Sequence, residues 1–213
     1  KVDSEKILYF VREQMDVLYM LGHHGEDTWD CSGLTMEAVK TVGYKWRHGA
    51  TMQYDNGFKS GNKYEYGYWK SSGTIDSLPK DDFVFLFNRS NKNSSKMEHV
   101  GIYDGKTGNE LQAGGYGTII TMSINNQEQI DKYGIDTVRK LNGKRKSIVC
   151  EQKFNSKHWT HWCSLNAVDS QNNNEEQLRQ TIRRGTSGET VKELQTILNK
   201  KINAGLVVDG KFG

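Results

Sequence analysis

The chain has 213 residues and a mass of 24.3 kDa, enough for one domain of ordinary size with an appendage or for two small domains. Its hydrophobic fraction is 35%, against roughly 45–50% in a typical globular protein. No stretch approaches the ~20 apolar residues of a membrane-spanning helix, and the net charge of +3 is dispersed, so we expect neither a membrane span nor a nucleic-acid partner. Three cysteines are too few for a disulfide scaffold and lack zinc spacing, so no metal or cofactor is expected.

Two helices are predicted near the N-terminus. Asp3 or Ser4 can cap the first, apolar residues recur at helical spacing as far as Leu21, and Gly22 ends it. A Gly/His-containing loop separates it from a second helix over Cys31–Lys40.

The central part predicts a long loop followed by strands. Residues 44–78 have no clean period and carry many Tyr and Trp residues among Gly and Lys, which is typical of a functional loop over a groove. An apolar run at 83–87 predicts a central strand, and 99–103, 110–113 and 118–124 predict a meander. Further edge strands are predicted at 136–141 and 147–150. Helices followed by antiparallel strands predict an α+β domain over residues 1–150.

The C-terminal part changes in character. Residues 151–177 pass from an aromatic and His-rich run into a polar stretch, and we interpret them as a linker. A new segment covers residues 178–213, with an amphipathic helix predicted at 189–200.

Cys31 is the candidate nucleophile. It lies in the first turn of the second predicted helix, where unpaired N–H groups and the helix dipole favour an anion. We therefore expect its thiol pKa to be lowered. A cysteine is more often a small buried hydrophobe, but the flanks here are polar and Gly-rich.

His99 and Gln112 complete a candidate triad. His99 begins an alternating strand, a pattern that fits a surface or capped histidine equally well. If residues 104–107 form a four-residue loop, Tyr103 pairs with Gly108 and Gln112 lies directly opposite His99. A Gln carbonyl that accepts from one ring nitrogen leaves the other nitrogen free for the thiol, which is the logic of nucleophile, base and orienter.

Five short motifs in order carry a family resemblance: Tyr19-x-x-Gly22, Asp30-Cys-Ser-Gly-Leu34, Asp82-Phe-Val-Phe85, His99-Val-Gly-Ile-Tyr103 and Leu111-Gln-Ala113. Over about residues 5–148 the chain resembles the NlpC-type cysteine peptidases, which are papain-like cell-wall hydrolases. The resemblance implies a papain-like fold with N-terminal helices packed on an antiparallel sheet. It also implies that Cys31 is the nucleophile, His99 the base and Gln112 the third polar residue.

The same resemblance implies substrate-binding residues. Tyr19 occupies the position of a phenol near the oxyanion, and Asp30 and Ser32 match positions that contact the stem peptide's free amine and D-Glu. Gly33 of the same motif is included with them. His23 replaces a glycine usual in the family, and Asp81 replaces another, so the exact substrate is open.

The C-terminal segment resembles a second family. The run from Leu178 through Val191 and Leu198 to the final Asp209-Gly-Lys-Phe-Gly213 is similar to the opening half of a three-helix peptidoglycan-binding domain. We expect an incomplete wall-binding module.

These observations predict a peptidoglycan hydrolase that cuts an amide bond of the stem peptide, by resemblance the bond from γ-D-Glu to the diamino acid. We expect a monomer that is secreted, wall-associated, or phage-encoded and released at lysis; no signal peptide is visible in this chain. Two alternatives stay open. One is an amidase or cross-bridge endopeptidase of the CHAP type, and the other is a non-catalytic wall-binding module.

Overall fold

The computed structural model describes residues 3–25, 27–114 and 118–166, together with 186–188, 191–192, 195–196, 198–199 and 205–212 near the C-terminus. Its contacts divide the chain into two compact units, Lys1–Val168 and Asp169–Gly213.

Unit 1 contains five helices and eleven strands within its described residues. The helices are α1 (Ser4–Glu13), α2 (Cys31–Lys40), α3 (Ala50–Asn56), α4 (Gln127–Tyr133) and α5 (Ile135–Leu141). The strands are β1 (Leu18–Tyr19), β2 (His24–Gly25), β3 (Thr28–Trp29), β4 (Trp69–Thr74), β5 (Val84–Arg89), β6 (Met97–Asp104), β7 (Asn109–Ala113), β8 (Ile119–Thr121), β9 (Arg145–Ser147), β10 (Val149–Lys153) and β11 (His161–Leu165).

A six-stranded antiparallel sheet organises the unit, in the order β10-β7-β6-β5-β11-β4. Strands β1, β3 and β2 form a small separate sheet, and β8 pairs with β9. The helices α2 and α3 both pack on β6, and α1 packs on α2. The prediction of an α+β fold with N-terminal helices on an antiparallel sheet is confirmed.

The central strand β5 explains why its sequence is a continuous apolar run. Phe85 and Phe87 point into the main core, which includes Leu34 of α2. Val84 and Leu86 point to the opposite face, where they pack with Trp159 in a second cluster. Because both faces are covered, the run does not alternate.

The N-terminal helix is shorter than predicted. The helix α1 buries Ile7, Leu8 and Val11 and ends at Glu13. Asp16 then adopts a left-handed backbone with φ of 65°, which turns the chain into β1. Leu21, counted in the helical pattern, is 79% exposed.

Several predicted central elements differ. The span 44–78 contains α3 and the edge strand β4 as well as loop. Of the predicted meander, the third strand β8 pairs with β9 outside the main sheet. Residues 135–141 form α5, because Val138 and Leu141 are buried at helical spacing.

The sheet also continues beyond residue 150. Residues 151–153 complete β10, and β11 is inserted between β5 and β4. The part of the predicted linker before residue 166 is therefore strand and turn, because Trp159, Cys163 and Leu165 are buried. The remainder of that linker, 167–177, lies outside the described residues.

In unit 2, Thr186–Ser187 pairs with Lys211–Phe212. The described residues between 191 and 199 are helical, and Val191 is buried. The Gln195 amide donates to the Asp209 side chain and accepts from the Gly210 N–H. The rest of the predicted helix 189–200 lies outside the described residues. No helix in the described parts of the chain has the length and apolar character needed to cross a membrane.

Candidate active site

The nucleophile candidate sits where the sequence predicts, at the first residue of α2. Asp30 is the N-cap, and its carboxylate accepts from the backbone N–H of Gly33 at 2.7 Å. Such a cap satisfies an otherwise unpaired helix donor and fixes where the helix begins. The Cys31 side chain is thereby placed at a fixed helix terminus.

The thiol lies beside the start of the functional strand. The backbone N–H of Val100 hydrogen-bonds to the Cys31 sulfur, which places the sulfur next to the peptide group that joins His99 to Val100. The helix α2 packs on β6 at this point. The structure therefore brings Cys31 and His99 to one place.

The expected lowering of the thiol pKa is wrong. Cys31 is only 6% exposed, and this burial raises the pKa of its thiol to about 11. The backbone N–H groups of Val100 and Ser32 act in the opposite direction, and the Asp30 charge raises the pKa further. The helix terminus was expected to favour the thiolate, but desolvation outweighs it.

His99 and Gln112 form the predicted pair. His99 Nε2 lies 2.6 Å from Gln112 Oε1, and the two side chains are 6% and 1% exposed. Because a carbonyl oxygen only accepts, His99 donates from Nε2. With Nε2 donating, the other ring nitrogen, Nδ1, carries the lone pair.

The hairpin register differs from the predicted one by two residues. Tyr103 pairs with Glu110 and Asp104 with Asn109, so Gln112 does not lie directly opposite His99. The contact survives because side chains alternate with period two, and a two-residue shift keeps Gln112 on the same face.

The protonation of His99 follows from its surroundings. Burial lowers the pKa of the imidazole below its ordinary value. The hydrogen bond to Gln112 and the charges of Glu110, Asp30 and Glu98 oppose this effect without cancelling it. The two shifts together favour a neutral imidazole and a protonated thiol at neutral pH.

Tyr19 also lies near Cys31 and Asp30. Burial raises the pKa of its phenol to about 12, and the charges of Cys31 and Asp30 add to the effect, so the hydroxyl stays a hydrogen-bond donor. A Cβ added at Gly114 would lie 2.3 Å from the Tyr19 ring, which shows how closely the end of β7 packs on it. The geometry places a neutral donor near the sulfur.

Asp30, Ser32 and Gly33 are all buried. Asp30 is 3% exposed and accepts from Gly22 N–H, Gly33 N–H, the Ser32 hydroxyl and His48 Nε2. Burial alone would raise the pKa of Asp30, but these hydrogen bonds hold it below its ordinary value. A direct contact between Asp30 and substrate would require one of these bonds to break.

Three residues near the site were missed by the sequence analysis. His48 bonds the Asp30 carboxylate at 2.8 Å. Glu110 is fully buried behind Gln112 and accepts from its amide. Trp159 stacks on the His99 ring, with centroids 5.3 Å apart and planes inclined by 20°. Glu110 had a local signal, because it is a charged residue that alternates with Gln112 in a predicted strand. His48 and Trp159 had none, because their contacts are with residues distant in sequence.

One protein family has a model that matches this chain over the region of the candidate site. The model of the NlpC/P60 family matches residues 16–138. None of the curated proteins matches the chain in sequence.

Among solved structures, NlpC1 from Trichomonas vaginalis is 20% identical with a TM-score of 0.46, covering 76% of this chain and 44% of that one. NlpC2 from the same organism is also 20% identical, with a TM-score of 0.44, and 47% of its length is covered by 75% of this chain. The peptidoglycan hydrolase RipB from Mycobacterium tuberculosis is 18% identical with a TM-score of 0.42, covering 76% of this chain and 65% of that one. The chain thus spans less than half of the two Trichomonas proteins.

The family model covers more than half of the chain, and it includes Cys31, His99 and Gln112. The chain therefore belongs to the NlpC/P60 family.

Proposed function

We propose that the protein is a peptidoglycan hydrolase that cuts an amide bond of the stem peptide through Cys31, His99 and Gln112. The observation that carries the proposal is the 2.6 Å bond from His99 Nε2 to Gln112 Oε1 beside the Cys31 sulfur. Nucleophile, base and orienter in that order are the arrangement that thiol acyl transfer requires.

The protonation states determine how the reaction would start. His99 Nδ1 takes the thiol proton as the sulfur attacks the amide carbonyl carbon, because the thiol is not ionised beforehand. The tetrahedral oxyanion is held by the Cys31 backbone N–H and the Tyr19 hydroxyl. The Nδ1 proton then passes to the leaving amine, and the thioester remains on Cys31.

The second half of the reaction uses the same base. His99 Nδ1 takes a proton from water, the hydroxyl oxygen attacks the thioester, and the carboxylic acid product leaves as the thiol is reprotonated. Family resemblance favours the bond from γ-D-Glu to the diamino acid as the one cut.

We also propose that residues 178–213 bind the bacterial wall. We propose further that the protein acts at the wall, either after secretion or at phage lysis. The described contacts of Gln195 with Asp209 and Gly210 support an ordered C-terminal motif. The NlpC-type region and the C-terminal segment 178–213 both indicate the same partner, which is bacterial peptidoglycan.

The test is the Cys31→Ala variant incubated with purified bacterial walls. We expect release of soluble peptides to stop while the circular dichroism spectrum stays unchanged, since Ala fits the buried thiol's position. Mass spectrometry of the fragments from wild type identifies the bond, and products of sugar–peptide or cross-bridge cleavage would favour the CHAP-type alternative. Unchanged release by the variant contradicts the proposal.

A further inference from the structure

A buried carboxylate lies directly behind the candidate triad. Glu110 is in β7, two residues before Gln112 and on the same face, and its exposure is 0%. A charged group in such a position is costly unless it is fully hydrogen-bonded.

Four N–H donors surround this carboxylate. Oε1 accepts from Gln112 Nε2 at 3.1 Å and from Gln152 Nε2 at 2.7 Å. Oε2 accepts from Trp159 Nε1 at 2.7 Å and from the backbone N–H of Asn155 at 3.1 Å. An ionised carboxylate only accepts and has about four lone-pair sites, so the donors match the charged form. His158 Nδ1 lies 3.7 Å from Oε1 as well.

The carboxylate determines which way the Gln112 amide is turned. Because Glu110 can only accept, Gln112 must present its NH₂ group to it and its carbonyl oxygen to His99. His99 must then carry its proton on Nε2, which leaves the Nδ1 lone pair available to the thiol. The tautomer of the base thus follows from the charge of a residue that does not touch it.

The same carboxylate also holds the group that covers the ring. Trp159 donates to Glu110 and stacks on His99. The indole fits because Gly101 has no side chain: a Cβ there would lie 2.6 Å from the Trp159 ring. Trp159, Gln152 and Asn155 all follow the region that the family model matches, 16–138.

We propose that Glu110 is a positioning residue of this site, which sets the Nε2–H tautomer of His99 through Gln112 and holds Trp159 over the imidazole ring. The catalytic consequence rests on the proposed function, whereas the tautomer itself does not. The site therefore includes residues from β10 and from the turn before β11, in addition to α2, β6 and β7.

The informative variant is Glu110→Gln. The new amide would keep its oxygen toward Trp159 and Asn155 and would turn its NH₂ toward the NH₂ of Gln112. Two facing donors force the Gln112 amide to flip, and its NH₂ group then meets His99 Nε2. We expect His99 to shift to the Nδ1–H tautomer, with kcat lower by about 10²- to 10⁴-fold, the upper figure being the loss for a wrong tautomer in a serine protease. KM should change little.

The exchange variant Glu110→Gln/Gln112→Glu restores the alternation of donor and acceptor. The amide at position 110 donates to the new carboxylate, and that carboxylate accepts from His99 Nε2–H. We expect the Nε2–H tautomer to return and most of the lost kcat with it. A purely structural role for Glu110 predicts no such rescue.

The primary measurement is the ¹⁵N NMR spectrum of the His99 ring in the full chain at a pH where the imidazole is neutral. The charges that act on this ring are Glu110 on β7, Asp30 before α2 and Glu98 on β6. Glu151→Gln is the matched control, since Glu151 is a carboxylate of the neighbouring strand that bonds Arg12 and Asn109. It should leave both the tautomer and kcat unchanged.

An Nδ1–H tautomer in the wild-type protein would overturn the proposal, as would an unchanged Nε2–H tautomer in folded Glu110→Gln. If that variant does not fold, the wild-type spectrum and the exchange variant still decide. If His99 keeps the Nε2–H tautomer in Glu110→Gln while the wild-type protein hydrolyses walls, only the role of Glu110 is rejected. If the tautomer shifts in Glu110→Gln but the wild-type protein hydrolyses no walls, only the proposed function is rejected.

Discussion

At the scale of residues, the candidate nucleophile and base have pKa values displaced away from each other. The thiol pKa of Cys31 is raised and the imidazole pKa of His99 is lowered, and burial is the largest cause of both shifts. An ion pair formed in advance would require the opposite displacements. The proposed mechanism therefore depends on proton transfer during attack and not on a thiolate formed beforehand.

This state predicts the pH dependence of thiol alkylation. With the thiol pKa raised to about 11, half of Cys31 is thiolate only at that pH, and the thiolate fraction is still rising there. We expect the rate of iodoacetamide modification to keep increasing beyond the ordinary thiol pKa of about 8.5, without a plateau there. Mass spectrometry of the peptide that contains Cys31 separates it from Cys150 and Cys163.

Denatured protein, in which the same thiol is solvated, is the control and should level off near the ordinary value. A constant, rapid rate from neutral pH upward in the native protein would instead indicate a thiolate–imidazolium pair.

The candidate residues at this scale differ in how well sequence could find them. Cys31 and His99 stand in short motifs whose local chemistry is informative on its own. Trp159 reaches His99 across 60 positions of the chain, and nothing in its immediate sequence indicates that contact. Local patterns identify the candidate nucleophile and base, whereas the contacts that hold them in place depend on tertiary packing.

At the scale of elements, the entry to α2 depends on a close approach between backbones. The loop at His23 and His24 passes over Gly33, where an added Cβ would lie 2.3 Å from the His23 carbonyl oxygen. Gly33 also donates its N–H to the Asp30 cap. The glycine is needed at this position for space, not for an unusual backbone angle.

We therefore expect Gly33→Ala to lower the free energy of unfolding by about 1–3 kcal/mol, the usual cost of overpacking. Gly25→Ala is the matched control, because a Cβ at Gly25 meets nothing within 4 Å. Urea unfolding followed by circular dichroism measures both. Equal stability of the two variants would contradict the close approach.

The elements also show where pattern analysis is limited. The hairpin between β6 and β7 was predicted on the correct face but two residues out of register, since the glycines of the loop allow more than one turn. Residues 136–141 were predicted as an edge strand, although α5 forms there and buries Val138 and Leu141. Short segments of mixed composition fit either the helical or the strand period of hydrophobic residues, and tertiary packing determines which element forms.

At the scale of the whole molecule, the family domain is completed by residues beyond the expected boundary. Strand β11 lies between β5 and β4, so β4 is attached to the sheet only through it. Sequence placed the end near residue 150 because the run from His158 to Trp162 is aromatic and polar without a strand period. The end of this run, His161 and Trp162, forms a strand because it pairs with β5, and the local sequence does not indicate that pairing.

Two truncations test this boundary. A chain that ends at Val168 keeps all of unit 1, so we expect a cooperative thermal transition and hydrolysis of soluble stem-peptide fragments. A chain that ends at Lys153 lacks β11 and Trp159, and we expect no cooperative transition and no hydrolysis. Calorimetry and a peptide-release assay measure these outcomes.

The longer truncation also serves the wall-binding proposal, because it lacks residues 178–213 and should sediment less with insoluble walls than the full chain does. A cooperative transition in the shorter truncation would show that the sheet is complete without β11.

The place of β11 in the sheet has a consequence for biosynthesis. The last strand of unit 1 to leave the ribosome is inserted between two strands made long before it, and the indole that covers the imidazole arrives just ahead of it. A nascent chain that already carries Cys31, His99 and Gln112 therefore still lacks the closed sheet and the ring cover. We therefore expect the proposed hydrolytic activity to begin only after nearly all of this unit has been translated.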